Sequence, residues 1–114
     1  MNDCLFCKMV RREIAPDVVY EDDDVLAFRD ISPQAPTHIL VIPKTHIASL
    51  NELGTDDATL VGKMYLAAQR IAREEGVADS GYRTLVNCGS DGGQTVFHVH
   101  LHLLAGRQMT WPPG

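Results

Sequence analysis

The sequence predicts an α+β domain: an antiparallel sheet of about five strands, one long helix and a short N-terminal helix. Three observations carry this reading. Polar and aliphatic residues alternate strictly in His98-Val99-His100-Leu101-His102-Leu103-Leu104, the period of a half-buried strand. Two runs rich in β-formers bracket the acidic turn Asp22-Asp23-Asp24, a hairpin signal. A single extended stretch, Asp56 to Glu75, has apolar residues at helical spacing.

Taken in order, Cys7 to Glu13 has the composition of one or two helical turns, and Val18 to Glu21 and Val25 to Arg29 are the hairpin strands. Asp30-Ile31-Ser32-Pro33-Gln34-Ala35-Pro36 is turn chemistry, with two prolines restricting the residues before them. His38 to Ile42 follows as an apolar strand ended by Pro43, and its lack of alternation marks an interior strand covered on both faces. The long helix has Thr55 as candidate N-cap, Asp56 and Asp57 in the first turn where the helix dipole favours acid, and Gly76 at its stop. Leu60, Val61, Met64, Ala67, Ala68, Ile71 and Ala72 form its apolar stripe. Tyr65 and Leu66 widen that stripe toward either more core or a second subunit. Tyr82 to Cys88 and Val96 to Ala105 complete the strands.

Composition bounds the function. A chain of 114 residues, 45% hydrophobic and 22% charged, supplies one core and one domain spanning 1–114. The net charge of −5 and the lack of any basic cluster beyond Lys8 to Arg12 argue against a partner gripped through many phosphates, so no nucleic acid is expected. There is no run of eighteen apolar residues and no basic, apolar leader at the start, so the expectation is a cytoplasmic protein with no membrane partner. Cys4, Cys7 and Cys88 are an odd number, unlike a secreted disulfide framework.

The histidine row is where the chemistry lies. Residues at i, i+2 and i+4 span about 13 Å on a strand at roughly 3.3 Å per residue, too far to converge on one metal. Divided roles follow: one imidazole as nucleophile, the others to orient it, stabilise charge or serve a separate site. Just before it lies Asn87-Cys88-Gly89-Ser90-Asp91-Gly92-Gly93-Gln94-Thr95. Its glycines permit close backbone approach, and its amide groups with the Asn, Gln and Thr side chains are candidate phosphate donors.

These residues resemble the histidine triad family, whose motif is His-x-His-x-His-x-x with hydrophobic x. The likeness extends through Phe28-Arg29-Asp30-Ile31-Ser32-Pro33-Gln34-Ala35-Pro36-Thr37-His38 and Gly106-Arg107-Gln108-Met109, and reaches Trp111-Pro112-Pro113-Gly114. It is most similar to the nucleotide-binding branch, whose members are dimeric purine nucleoside phosphoramidases. The resemblance implies a HIT-like fold with the sheet extended across a homodimer. It also implies hydrolysis of the P–N bond of AMP- or GMP-amine conjugates. By this likeness His100 would attack the α-phosphorus and leave a nucleotidyl-histidine for water to cleave. His102 would bind phosphoryl oxygens and the leaving group, and His38 would orient His100 and share its proton. Asn87, Gly93 and Thr95 would cradle the phosphate. Asp30 would accept from the ribose hydroxyls, and Leu5, Phe6, Met9, Phe28 and Ile31 would form an apolar slot for the purine.

Three departures from the family's usual pattern carry information. Cys4-Leu5-Phe6-Cys7 has ligand spacing and resembles family members in which such a pair binds zinc with two histidines; here the set would be Cys4, Cys7, His46 and His98. That zinc would be structural, with no cofactor needed for catalysis. Thr95 replaces a usual serine, keeping the hydroxyl. Thr110 stands where relatives often have histidine, which bears on the amine side of the substrate. Two other readings use the same fold: a nucleotide-binding regulatory module, and a dinucleoside polyphosphate hydrolase.

Overall fold

The computed structural model describes residues 3–114. In chain order the elements are α1 (Leu5–Val10), β1 (Val18–Glu21), β2 (Val25–Arg29), β3 (Thr37–Pro43), two 3-10 turns (Leu50–Glu52 and Thr55–Asp57), α2 (Ala58–Glu74), β4 (Tyr82–Leu85) and β5 (Leu101–Ala105). All neighbouring strands are antiparallel, in the order β1-β2-β3-β5-β4. The α+β class, the five-stranded sheet, the hairpin and the interior position of β3 are as the sequence reads. No helix among the described residues is long and apolar enough to cross a membrane.

Side-chain alternation divides the sheet into two faces. On one, Val25, Ala27, Ile39, Val41, Leu101 and Leu103 meet Met64, Ala67, Ala68, Ile71 and Ala72 of α2. Three alanines in that stripe let the helix lie close on the sheet. On the other face Leu26, Phe28, Leu40 and Ile42 meet Phe6 of α1. His38 and Leu40 share that second face, and Leu40 pairs with His102 in the β3–β5 register, so the histidines project on the α1 side. Stability and chemistry thus occupy opposite sides of one sheet.

Element boundaries differ from the sequence reading for local reasons. The first helix starts at Leu5 rather than Cys7, because the Cys4 sulfur accepts from the Cys7 amide at 3.4 Å and caps it. Ahead of α2, Thr55 is not the cap; it opens a 3-10 turn, and the Asp57 carboxylate accepts from the Gly54 amide at 2.8 Å. Gly76 does stop the helix, at φ +75°. The last strand begins only at Leu101. Before it the chain bends, and a single bond from the Val99 amide to the Ile47 carbonyl (2.7 Å) replaces the ladder.

The α2 interface makes a direct test. Ala68 is 1% exposed against the sheet, so Ala68→Leu should overpack the interface and cost about 1–3 kcal/mol. The expected readout is a lower urea midpoint with an unchanged slope.

Candidate active site and metal cluster

Four elements converge on a cavity of about 360 Å³. Leu5, Phe6 and Met9 from α1 line one side, Phe28 and Leu40 form its floor, and Asp30 and Ile31 stand at the end of β2. Thr95, Val96, His100 and His102 close it. Leu5, Phe6, Met9, Phe28 and Ile31 thus line one and the same cavity, with Ile31, 96% exposed, on the rim. Leu40 and Val96 were not foreseen, although Leu40 lies two residues beyond His38 on a strand and so had to share its face.

The hydrogen bonds around the histidines assign their tautomers. The Gln34 amide donates to His38 Nδ1 at 3.0 Å, so neutral His38 carries its proton on Nε2. That Nε2–H lies 2.9 Å from His102 Nδ1 and donates to it. The His102 proton is therefore on Nε2, and this buried atom has no hydrogen-bond partner among the described residues. Separately, His100 Nδ1–H donates to the His98 carbonyl at 2.7 Å, which leaves the His100 lone pair on Nε2. His100, with its lone pair on Nε2, and His102, with its proton on Nε2, both line the cavity. His38 is held against His102 and not, as the family likeness implied, against His100; the His98 main chain orients His100.

Burial lowers the proton affinity of His38, His100 and His102, and the Asp30 carboxylate partly opposes it in each case. His102 is the extreme, pushed down to about 4 by burial and then by its two histidine neighbours. Neutral imidazoles near pH 7 follow, which the tautomer assignment requires. Asp30 itself lines the cavity; its Oδ1 accepts from the Ser32 amide at 2.8 Å and its Oδ2 lies 3.4 Å from His38 Nε2. Asp30, His38 and His102 also bring ligand-type atoms together. Protons on the nitrogens and amide donors on the remaining lone pairs account for that group as a hydrogen-bonded relay.

The glycine-rich loop behaves differently from its sequence reading. Gln94, 6% exposed, turns inward: its oxygen accepts from the Gly89 amide (3.0 Å) and its nitrogen donates to the carbonyls of Ala48 (2.8 Å) and Val96 (3.1 Å). It fastens the loop, with both ends of its amide hydrogen-bonded within the protein. The Gly93 amide is likewise engaged, donating to the Ser90 carbonyl at 3.0 Å. Neither Gly93 nor Asn87 lines the cavity, whereas Thr95 does. Gly92 is required by contact, since a Cβ there would stand 2.4 Å from the Cys88 carbonyl oxygen.

His98 belongs to another cluster. Its Nδ1 lies 3.4 Å from Cys4 Sγ, 3.5 Å from Cys7 Sγ and 3.3 Å from His46 Nδ1, and Cys7 Sγ lies 3.3 Å from His46 Nδ1. All four ligand atoms fall within 4.8 Å of one another. Tetrahedral zinc with bonds of about 2.0–2.3 Å has ligand-to-ligand edges of about 3.3–3.8 Å, so the donor set and its spacing fit that ion. The His98 Nε2–H donates to the Pro43 carbonyl at 2.7 Å, which turns Nδ1 toward the cluster as an outer-shell partner does in metal sites.

A histidine relay thus opens on a cavity with mainly apolar walls. The chain belongs to the HIT family, whose domain model (HIT domain) matches residues 11–109. It is 55% identical over 113 residues to an uncharacterized HIT-like protein of Synechococcus elongatus, covering 99% of this chain and 98% of that one. It is 50% identical over 108 residues to the purine nucleoside phosphoramidase of Escherichia coli, covering 95% and 91%. A crystal structure of a HIT family hydrolase from Legionella pneumophila superposes with a TM-score of 0.97 at 55% identity, covering 98% of this chain and all of that one. The family match begins after Cys4 and Cys7, so the cluster rests on its own geometry.

The His102 environment sets a pH prediction. Its folded pKa lies below the ordinary 6.5, so the unfolded chain binds more protons between the two values. Its contribution to stability is complete above pH 6.5 and is lost as pH falls toward 4. An NMR titration of the imidazole carbon-bound protons should give His102 a midpoint near 4; a midpoint near 6.5 would contradict the assigned environment.

Proposed function

We propose that this chain is a purine nucleoside 5′-phosphoramidate hydrolase, and the observation that carries the reading is the tautomer relay. His100, with its lone pair on Nε2, and His102, with its proton on Nε2, line the same cavity and are read as nucleophile and hydrogen-bond donor. The 50% identity to a purine nucleoside phosphoramidase supports the substrate class. So does a cavity with aromatic and aliphatic walls and one carboxylate, Asp30, suited to a base and a ribose.

In this mechanism His100 Nε2 attacks the α-phosphorus, the P–N bond breaks, and the nucleotide rests on His100. His102 Nε2–H hydrogen-bonds the phosphoryl group as charge develops, and the amine departs neutral when its nitrogen carries an added proton in the substrate. His38 Nε2–H, already bonded to His102 Nδ1, stabilises His102 through that step. Thr95 contributes its hydroxyl at the cavity wall. Water then attacks the nucleotidyl-histidine, the P–Nε2 bond breaks with its electron pair returning to His100, and one water proton passes to solvent as the nucleotide is released.

Zinc would be held by Cys4, Cys7, His46 and His98, linking α1 to the segments after β3 and before β5. Four protein ligands leave no open position, so its part is structural. A second copy of the chain is the protein partner this reading includes. Strand β4 lies at the sheet edge with Tyr82 exposed, and Tyr65 and Leu66 on α2 are 47% and 64% exposed. Antiparallel pairing of two β4 edges would extend the sheet across the dimer.

Adenosine 5′-phosphoramidate should yield AMP with the purified protein, and His100→Ala should lower the rate by more than about 10³-fold while the protein still binds AMP. Nucleotide binding without turnover by the unaltered chain would favour a regulatory module. Faster cleavage of a diadenosine polyphosphate would favour the polyphosphate hydrolase. For the metal, elemental analysis of untagged protein should find about one zinc per chain, and Cys7→Ser should lose it. A content far below one, not restored by added zinc, would contradict the site.

A further inference from the structure

We propose that the cysteine–histidine cluster and the nucleotide cavity are coupled sites, so that a zinc-class cation in one and a purine nucleotide in the other each tighten the binding of the other. The inference rests on the nucleotide and metal readings above and goes beyond both.

The two sites share parts on both sides. Helix α1 carries Cys4 at its cap and Cys7 within it as cluster ligands, while Leu5, Phe6 and Met9 between and beyond them wall the cavity. It is only 6 residues long, below the length at which a helix holds together alone, so its order depends on what anchors it. Its anchors are the cluster, the packing of Met9 and Val10 on the sheet, and the Phe6 ring, which packs edge-on to Phe28 at 5.4 Å, His98 at 5.9 Å and His100 at 5.1 Å. A cation on the cysteines and a base against Leu5, Phe6 and Met9 therefore favour one and the same docked position of α1. Two ligands that favour one state raise each other's affinity by an equal factor.

The second link is His98. Its imidazole is in the cluster, and its main-chain carbonyl takes the His100 Nδ1–H at 2.7 Å. A cation that fixes the His98 side chain also fixes the acceptor that selects the nucleophilic tautomer. The two sites adjoin at their rims as well: a hollow lined by Cys4, His46 and Phe97 shares Leu5, Thr95 and Val96 with the nucleotide cavity. Cys4 and Cys7 are thus positioning residues for His100, acting through His98.

The test uses untagged full-length protein, Zn²⁺ and AMP. Calorimetric titration with AMP, zinc-loaded against chelator-stripped, should show binding weakened by at least about fivefold on stripping. Competition of the loaded protein with a chromophoric chelator should show zinc held more tightly, by the same factor, when AMP is saturating. Nitrogen-15 NMR should show the Nδ1–H tautomer of His100 in the loaded form and a mixture after stripping. His46→Ala, which removes a ligand outside the nucleotide cavity, should reproduce the stripped behaviour, and His46→Cys should restore the loaded one. Equal AMP affinity in both forms, or zinc affinity unmoved by AMP, would overturn the coupling. The chelator arm runs on loaded, folded protein, so unfolding of the stripped form does not remove the test. Absence of AMP binding to loaded protein would instead overturn the nucleotide reading, an outcome distinct from AMP binding without coupling.

Discussion

The hydrogen bond from His100 Nδ1–H to the His98 carbonyl, 2.7 Å long, is the constraint on which the site depends. It decides which nitrogen of His100 holds the lone pair. It also engages a carbonyl that a continuing strand would place in its ladder, so β5 begins only at Leu101. Freed from the strand, His98 swings its imidazole to Cys4, Cys7 and His46, where Pro43 fixes its orientation. One departure from regular pairing therefore divides three consecutive triad histidines between two sites. It resolves the geometric problem of a row too long to hold one metal.

Burial does the electrostatic work around this bond. A protonated imidazole can neither attack through its second nitrogen nor accept a neighbour's proton, and the cavity walls disfavour protonation of all three site histidines. The Asp30 carboxylate opposes that trend without reversing it. Desolvation has a further consequence: the buried His102 Nε2–H finds no acceptor among the described residues, a cost that an acceptor in the cavity would relieve. The opposite face of the sheet, packed by the alanine-rich stripe of α2, holds this arrangement in place and contributes none of its chemistry.

Much of this was legible in the residues because period is a strong signal. Alternation at 101–104 and the apolar run of β3 gave the central strands, the α2 stripe gave the long helix, and the family likeness assembled the cavity residues. What escaped depends on three-dimensional partners that no local pattern records. The family likeness groups His98 with Cys4, Cys7 and His46, but its strict alternation with His100 and His102 hides the bend by which it leaves the strand before Leu101. Gln94 reads as a loop donor, yet its amide is matched by carbonyls at 48 and 96. The Gly93 N–H closes its own turn on the Ser90 carbonyl, a pairing its sequence does not announce. The sulfur cap of α1 was hidden because cysteine is not an ordinary cap residue.

The central claim is that a nitrogen of His100, and not water, is the first group to reach phosphorus. Its most direct test is the stereochemical course at phosphorus, using a chiral adenosine 5′-phosphorothioamidate turned over in oxygen-18 water. Two in-line displacements, first by His100 and then by water, invert the centre twice, so the account requires net retention. Net inversion would mean a single displacement by water and would contradict the role assigned to His100.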